Sequence, residues 1–197
     1  MSSICIIDTS VFLNFLDVPN CNQDRESILN DYQVYAEDGC QFVLPMATIL
    51  ETGNHIAQNG NGQIRRKKAE GFVKEVKAAL TGESPWQLSE LPNHEDILNW
   101  IDQFPDYAGR NKSADRQEGT SFAEMTIIEE FNKICHKCSM STVFIWSLDQ
   151  DLKSYHKSQQ NSSNFSHNQG LKTDDKNRKT LINQKTKSRK KRKNNKK

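Results

Sequence analysis

The stretch Ile4-Cys5-Ile6-Ile7-Asp8-Thr9-Ser10-Val11-Phe12-Leu13 decides the fold. Its apolar run stops abruptly at a carboxylate. Four β-favouring or apolar residues without polar interruption read as a short strand buried on both faces of a parallel sheet. Asp8 then falls at the strand's C-terminal end, the edge where open α/β sheets gather loops and helix N-termini around ligands. Residues 11–16 are too apolar for an exposed loop and should turn at once into a buried helix. Asp followed by Thr-Ser is also good helix-capping chemistry, so this stretch alone leaves Asp8 as either a cap or a functional acid.

Working outward, residues 24–38 predict a helix with Ile28, Leu29, Tyr32 and Tyr35 on its apolar face, ended by Gly39. Phe42-Val43-Leu44 reads as a second buried strand closed by Pro45. The next helix carries Met46, Ile49, Leu50 and Ile56 inside, with Glu51 one residue round from that stripe. After the break at residues 59–62, residues 63–80 predict a long amphipathic helix with Ile64, Phe72, Val76, Ala79 and Leu80 inside. Its start is basic, with Arg65, Arg66, Lys67 and Lys68. Four cations there oppose the helix dipole, so they read either as a solvated face or as phosphate contacts. Trp86-Gln87-Leu88 is a third strand, and residues 94–104 a helix. Residues 105–120 read as a loop, a lid or substrate-contacting segment beside a cleft. Ser121 with Glu124 three residues on is a capping box that opens another helix. Residues 142–146 are the strongest strand signal, and they run into Ser147-Leu148-Asp149-Gln150-Asp151.

The 197 residues predict one domain with a tail: a body over 1–152 and a Lys/Arg-rich segment over 153–197. The body holds 12 Lys+Arg against 23 Asp+Glu, net −11, and the tail 15 against 2, net +13. A segment so polar cannot bury enough apolar surface to offset ordering entropy, so the tail is expected to be disordered. Its run Arg189, Lys190, Lys191, Arg192, Lys193 would attract a polyanion such as RNA, with steep salt dependence. With no long apolar run and no charged-then-apolar leader, a cytoplasmic protein with no membrane partner is expected. The five cysteines (Cys5, Cys21, Cys40, Cys135, Cys138) then read as reduced thiols, with Cys5 in the core.

Asp8 and Asp149 end strands, and Glu51 and Glu124 sit near helix starts. If the strands are parallel neighbours, these ends share one edge and the four acids can converge. Four carboxylates cannot share a small site as bare anions without raised pKa values or a cation. Mg²⁺ or Mn²⁺ keeping several waters is the natural occupant, and the set suits water attack on a phosphodiester. Cys135-His136-Lys137-Cys138 has zinc-knuckle spacing but lacks a second pair. His55 shares a helix face with Glu51 and could touch a substrate phosphate or be a plain surface residue, as could Asn54.

The ordered blocks IIDTSVFL, LPMATILE, GTSFAEMTII and WSLDQDL resemble those of the PIN-domain nucleases, a family that includes toxin ribonucleases. The resemblance implies an α/β/α sandwich around a short parallel sheet of order 3-2-1-4-5, and a metal-dependent endoribonuclease acting on single-stranded or structured RNA. It makes Asp8, Glu51, Glu124 and Asp149 the metal-binding acids. Ser10 and Ser147 fall at hydroxyl positions that hold the acids or metal-bound waters. It also implies a homodimer and a regulatory protein partner. Two departures stand out. Glu124 replaces the usual Asp and reaches a methylene further, leaving Asp115, Glu118 or Asp151 to assist. No fifth strand is evident after Leu152, so the sheet is expected to stop at about four strands or to borrow an edge. Two other readings stay open: a degenerate PIN fold that binds RNA or serves assembly through its tail, and a DNA nuclease.

Overall fold

The computed structural model describes residues 2–112 and 117–158. The chain divides after Ser162 into two units, and the described residues all belong to the first. Asp115 and the basic run 189–193 therefore lie outside the described residues.

The chain runs β1 (Ser3–Ile7), α1 (Thr9–Phe15), α2 (Arg25–Glu37), β2 (Gln41–Leu44), α3 (Met46–Ala57) and α4 (Gly62–Thr81). It continues through β3 (Trp86–Leu88), α5 (His94–Gly109), α6 (Phe122–Lys137), β4 (Thr142–Trp146), α7 (Gln150–Lys153) and β5 (His156–Lys157). The sheet has the order β3-β2-β1-β4-β5. β1 pairs in parallel with both β2 and β4, and β2 with β3, whereas β5 runs antiparallel to β4. The expected parallel sheet is thus a mixed one, and the expectation of no strand after Leu152 is corrected by β5.

Alternation along the strands divides the core into two layers. Cys5, Ile7, Phe42, Leu44 and Trp146 point to one face, where α1, α2 and α4 supply Phe12, Ile28 and Ala79. Ile4, Ile6, Val143 and Ile145 point to the other, where α6 supplies Ile127, Ile128 and Phe131. Burial on both faces is why β1 and β4 read as unbroken apolar runs. Trp86 closes the β3 edge with edge-on contacts to Phe15 at 4.8 Å and Phe12 at 6.0 Å, each pair worth about 1 kcal/mol beyond its buried area. All five cysteines are free thiols, with Cys5 buried. No helix among the described residues is long and apolar enough to cross a membrane.

Three further details differ from the sequence reading. α5 runs through Pro105 to Gly109 instead of ending at residue 104. Tertiary contacts hold the turn that proline weakens: Phe104 meets Phe122 at 5.1 Å, and Tyr107 Oη donates to Glu129 Oε1 at 3.2 Å. Leu50 and Leu80 are exposed, while Thr48 and Thr52 are fully buried on α3. Thr48 goes inside because its hydroxyl donates to the Ile7 carbonyl at 2.7 Å, pinning the start of α3 to the end of β1.

β5 is short but anchored. Lys157, 7% exposed, donates its ammonium to the carbonyls of Cys135 and Cys138 at 2.8 and 3.2 Å. A cation here satisfies the Cys135 carbonyl that the end of α6 leaves open, joins the Ser141 amide on the Cys138 carbonyl, and complements the helix dipole.

Candidate active site

In the order β3-β2-β1-β4-β5 the chain builds outward from β1 on one side and then crosses to the other. The crevice outside the C-terminal ends of β1 and β4 is therefore the switch point, the standard ligand position in such sheets. A pocket of about 380 Å³ opens there, and Asp8, Glu51, Glu124 and Asp149 all line it, with His55 and Ser121 beside them.

Asp8 is the centre of this wall. It is 6% exposed and is the N-cap of α1. Its Oδ2 accepts from the Ser10 hydroxyl at 2.6 Å, the Ser10 amide at 3.2 Å and the Ser147 hydroxyl at 2.8 Å. The proton directions follow from the rest of the network. Ser10 Oγ accepts from the Leu148 amide at 3.0 Å and Ser147 Oγ from the Asp149 amide at 2.9 Å, so each hydroxyl turns its own proton toward Asp8. Among the described residues every hydrogen bond to the carboxylate falls on Oδ2.

The other acids arrive by separate routes. Glu51 stands one turn along α3 from Thr48, and its Oε2 accepts from Thr9 Oγ1 at 2.7 Å. Asp149 is the N-cap of α7 and takes the Asp151 amide on Oδ1 at 2.8 Å. Glu124 closes the capping box of α6: its Oε2 accepts from the Ser121 amide at 2.8 Å and the Ser121 hydroxyl accepts from the Glu124 amide at 3.2 Å. Its other oxygen, Oε1, takes the Lys112 ammonium at 2.8 Å. Capping and pocket lining, which looked like alternatives in the sequence, are thus combined. Asp8, Glu124 and Asp149 each serve a helix N-terminus and face the pocket, where those N-termini offset part of the negative charge.

Lys112 and Thr9 are the participants that sequence reasoning missed. Lys112 is delivered by the α5–α6 connection. Its amide donates to the Glu118 carbonyl at 2.9 Å, and the Thr120 amide to the Tyr107 carbonyl at 3.2 Å. Gly119 crosses the end of α5 so closely that a Cβ there would overlap the Ala108 carbonyl. The Lys112 side chain is 11% exposed and also lies 3.7 Å from Glu118 Oε1. Burial alone would lower its pKa, but the hydrogen bond and charge of Glu124, with the charges of Glu118 and Asp149, outweigh that and raise it. Only the polar, Gly-containing character of residues 105–120 hinted at this placement.

The four acids line one cavity without meeting at one point. Among the described residues no group of three or more His, Cys, Asp or Glu side chains closes as ion ligands would. The donor chemistry still suits a hard cation, because Mg²⁺ takes one or two carboxylates directly and keeps waters for the rest. The Cys135–Cys138 pair finds no further His, Cys, Asp or Glu side chain among the described residues placed to complete a zinc site with it. The basic start of α4 does not line the pocket. Arg65 donates to the Asn59 carbonyl at 2.6 Å, Arg66 pairs with Glu70 at 3.1 Å and Lys68 reaches Asp17 at 3.0 Å, while Lys67 lies between them on the same turn.

Comparison with protein-family models, with curated proteins and with solved structures returned no match.

Proposed function

We propose that this pocket is the active site of a divalent-cation-dependent endoribonuclease of the PIN type, hydrolysing RNA phosphodiesters with water. The observation that carries the reading is that Asp8, Glu51, Glu124 and Asp149, from four separate parts of the chain, line one crevice at the switch point of the sheet. Asp8 and Asp149 would hold Mg²⁺ or Mn²⁺, with Glu51 and Glu124 completing the site or holding a second cation. Bound there, such a cation makes a water more acidic and neutralises the leaving oxygen. The chain's own part is positioning. Ser10 and Ser147 fix the Asp8 carboxylate, Thr9 fixes Glu51, and Asp151 holds Asp149 through its amide. The basic run of the tail would concentrate RNA near the acidic body, since a pocket lined by carboxylates repels phosphate by itself.

One observation favours a second reading, a degenerate fold that binds RNA without cutting it. Both oxygens of Glu124 are already engaged, one by Lys112 and one by the capping box. Labelled single-stranded RNA incubated with Mn²⁺, Mg²⁺ or EDTA separates the two, run beside the double variant Asp8→Asn/Asp149→Asn. Metal-dependent cuts absent from the variant support the nuclease. Binding without cuts in any metal supports the degenerate module.

A further inference from the structure

Resting on the cation-site reading above, we infer that Lys112 is the pocket's built-in counter-charge, a residue that competes with the divalent cation and sets how tightly it binds. Its ammonium sits 2.8 Å from Glu124 Oε1, on a side chain that is 11% exposed. Two further carboxylates, Glu118 and Asp149, act on the same charge. Lys112 is thus held between Glu124 at 2.8 Å and Glu118 at 3.7 Å on the α5–α6 side, with Glu124 itself lining the pocket.

Physical chemistry makes the two occupants exclusive. An ammonium and a dication drawn to the same carboxylate a few ångströms apart repel each other strongly where water is scarce. A cation that uses Glu124 therefore has to displace Lys112, and the protein gives up that ion pair on loading. Backbone hydrogen bonds from Lys112 to Glu118 and from Thr120 to Tyr107 fix the described ends of the connection, so displacement of the ammonium asks only for a change of the Lys112 rotamer. Lys112 is a positioning residue in this scheme, acting on Glu124.

The test is Mn²⁺ binding by calorimetry on the full chain, with Lys112→Gln, Lys112→Arg and the double variant Lys112→Gln/Glu124→Gln. Lys112→Gln should bind on the order of tenfold more tightly than wild type. Lys112→Arg, which keeps the cation, should bind about as wild type does, and the double variant should lose the gain. Unchanged or weaker binding by folded Lys112→Gln, with wild type binding normally, overturns the role of Lys112 and leaves the cation site standing. No Mn²⁺ uptake by wild type or any variant overturns both. A second measurement needs no substitution: Mg²⁺ titration of the wild-type protein should move the Lys112 side-chain carbon resonance as the ion pair opens. A resonance that stays put while Mg²⁺ binds overturns the proposal.

Discussion

On the β1–β4 wall of the pocket, Asp8 is fixed by two hydroxyls and an amide. Across the cleft on the α5–α6 wall, Glu124 is fixed by an ammonium and by its own helix cap. Both acids are held, but neutral donors orient Asp8 without consuming its charge, while Lys112 balances the charge of Glu124. Under the proposed cation site, a carboxylate of the first kind would be ready for the cation, and one of the second kind would have to be released to it.

The largest test of that contrast is Asp8→Asn. Asparagine keeps the cap and can still accept from Ser10 and Ser147, so the melting temperature should change little while metal-dependent RNA cleavage falls by at least about 100-fold, beyond the usual cost of losing an orienting partner. Retained cleavage would remove Asp8 from the chemistry. Ser147→Ala comes next. It takes one of the three donors from Asp8 and the acceptor from the Asp149 amide, and cleavage should drop about 10- to 100-fold, measured as turnover at saturating Mn²⁺. A loss seen only in thermal stability would make Ser147 a scaffold residue.

Glu124→Gln should cost less. The amide preserves the capping box geometry but removes the partner of Lys112, so urea unfolding should show a loss of about 1 kcal/mol or less, with Mn²⁺ affinity falling only a few-fold. A collapse as large as that of Asp8→Asn would make the two walls equivalent.

The smallest effect is in the pH profile. The folded-state pKa of Lys112 is raised above its ordinary 10.5. Its contribution to stability is therefore fully present below the unfolded-state value and is lost as pH rises through the folded-state value. Unfolding measured on wild type and Lys112→Met should differ by a constant amount up to that range and converge above it. A difference that instead vanishes on acidification within the neutral range would mean that Lys112 does not stabilise as a cation.

How much was legible in the sequence follows from which forces wrote it. β1 and β4 were readable because both of their faces are buried, which demands unbroken apolar runs, and the capping box at Ser121 because two side chains announce it. The strand order came only with the resemblance to a family, whereas the meeting of the four acids in one pocket was readable from strand ends and helix starts on condition that the strands were parallel neighbours. β5 was invisible because two residues have no periodicity. The continuation of α5 past Pro105 was hidden because contacts with Phe122 and Glu129 override a local helix breaker. Thr48 and Thr52 lay inside where apolar patterning placed Leu50, since the Thr48 hydroxyl bonds a strand carbonyl. Lys112 could not be found from spacing, because its nearest carboxylate, Glu124, comes from the next helix across an irregular connection.

The two-residue strand β5 has a consequence for where the folding unit can be cut. Lys157 closes the end of α6 from a point five residues past Leu152, so a chain truncated after Leu152 forfeits the ammonium that satisfies the buried Cys135 carbonyl. A chain ending at Ser158 keeps it. Limited proteolysis should accordingly stop at a fragment that retains Lys157, and the shorter truncation should melt earlier although every acid of the pocket is still present.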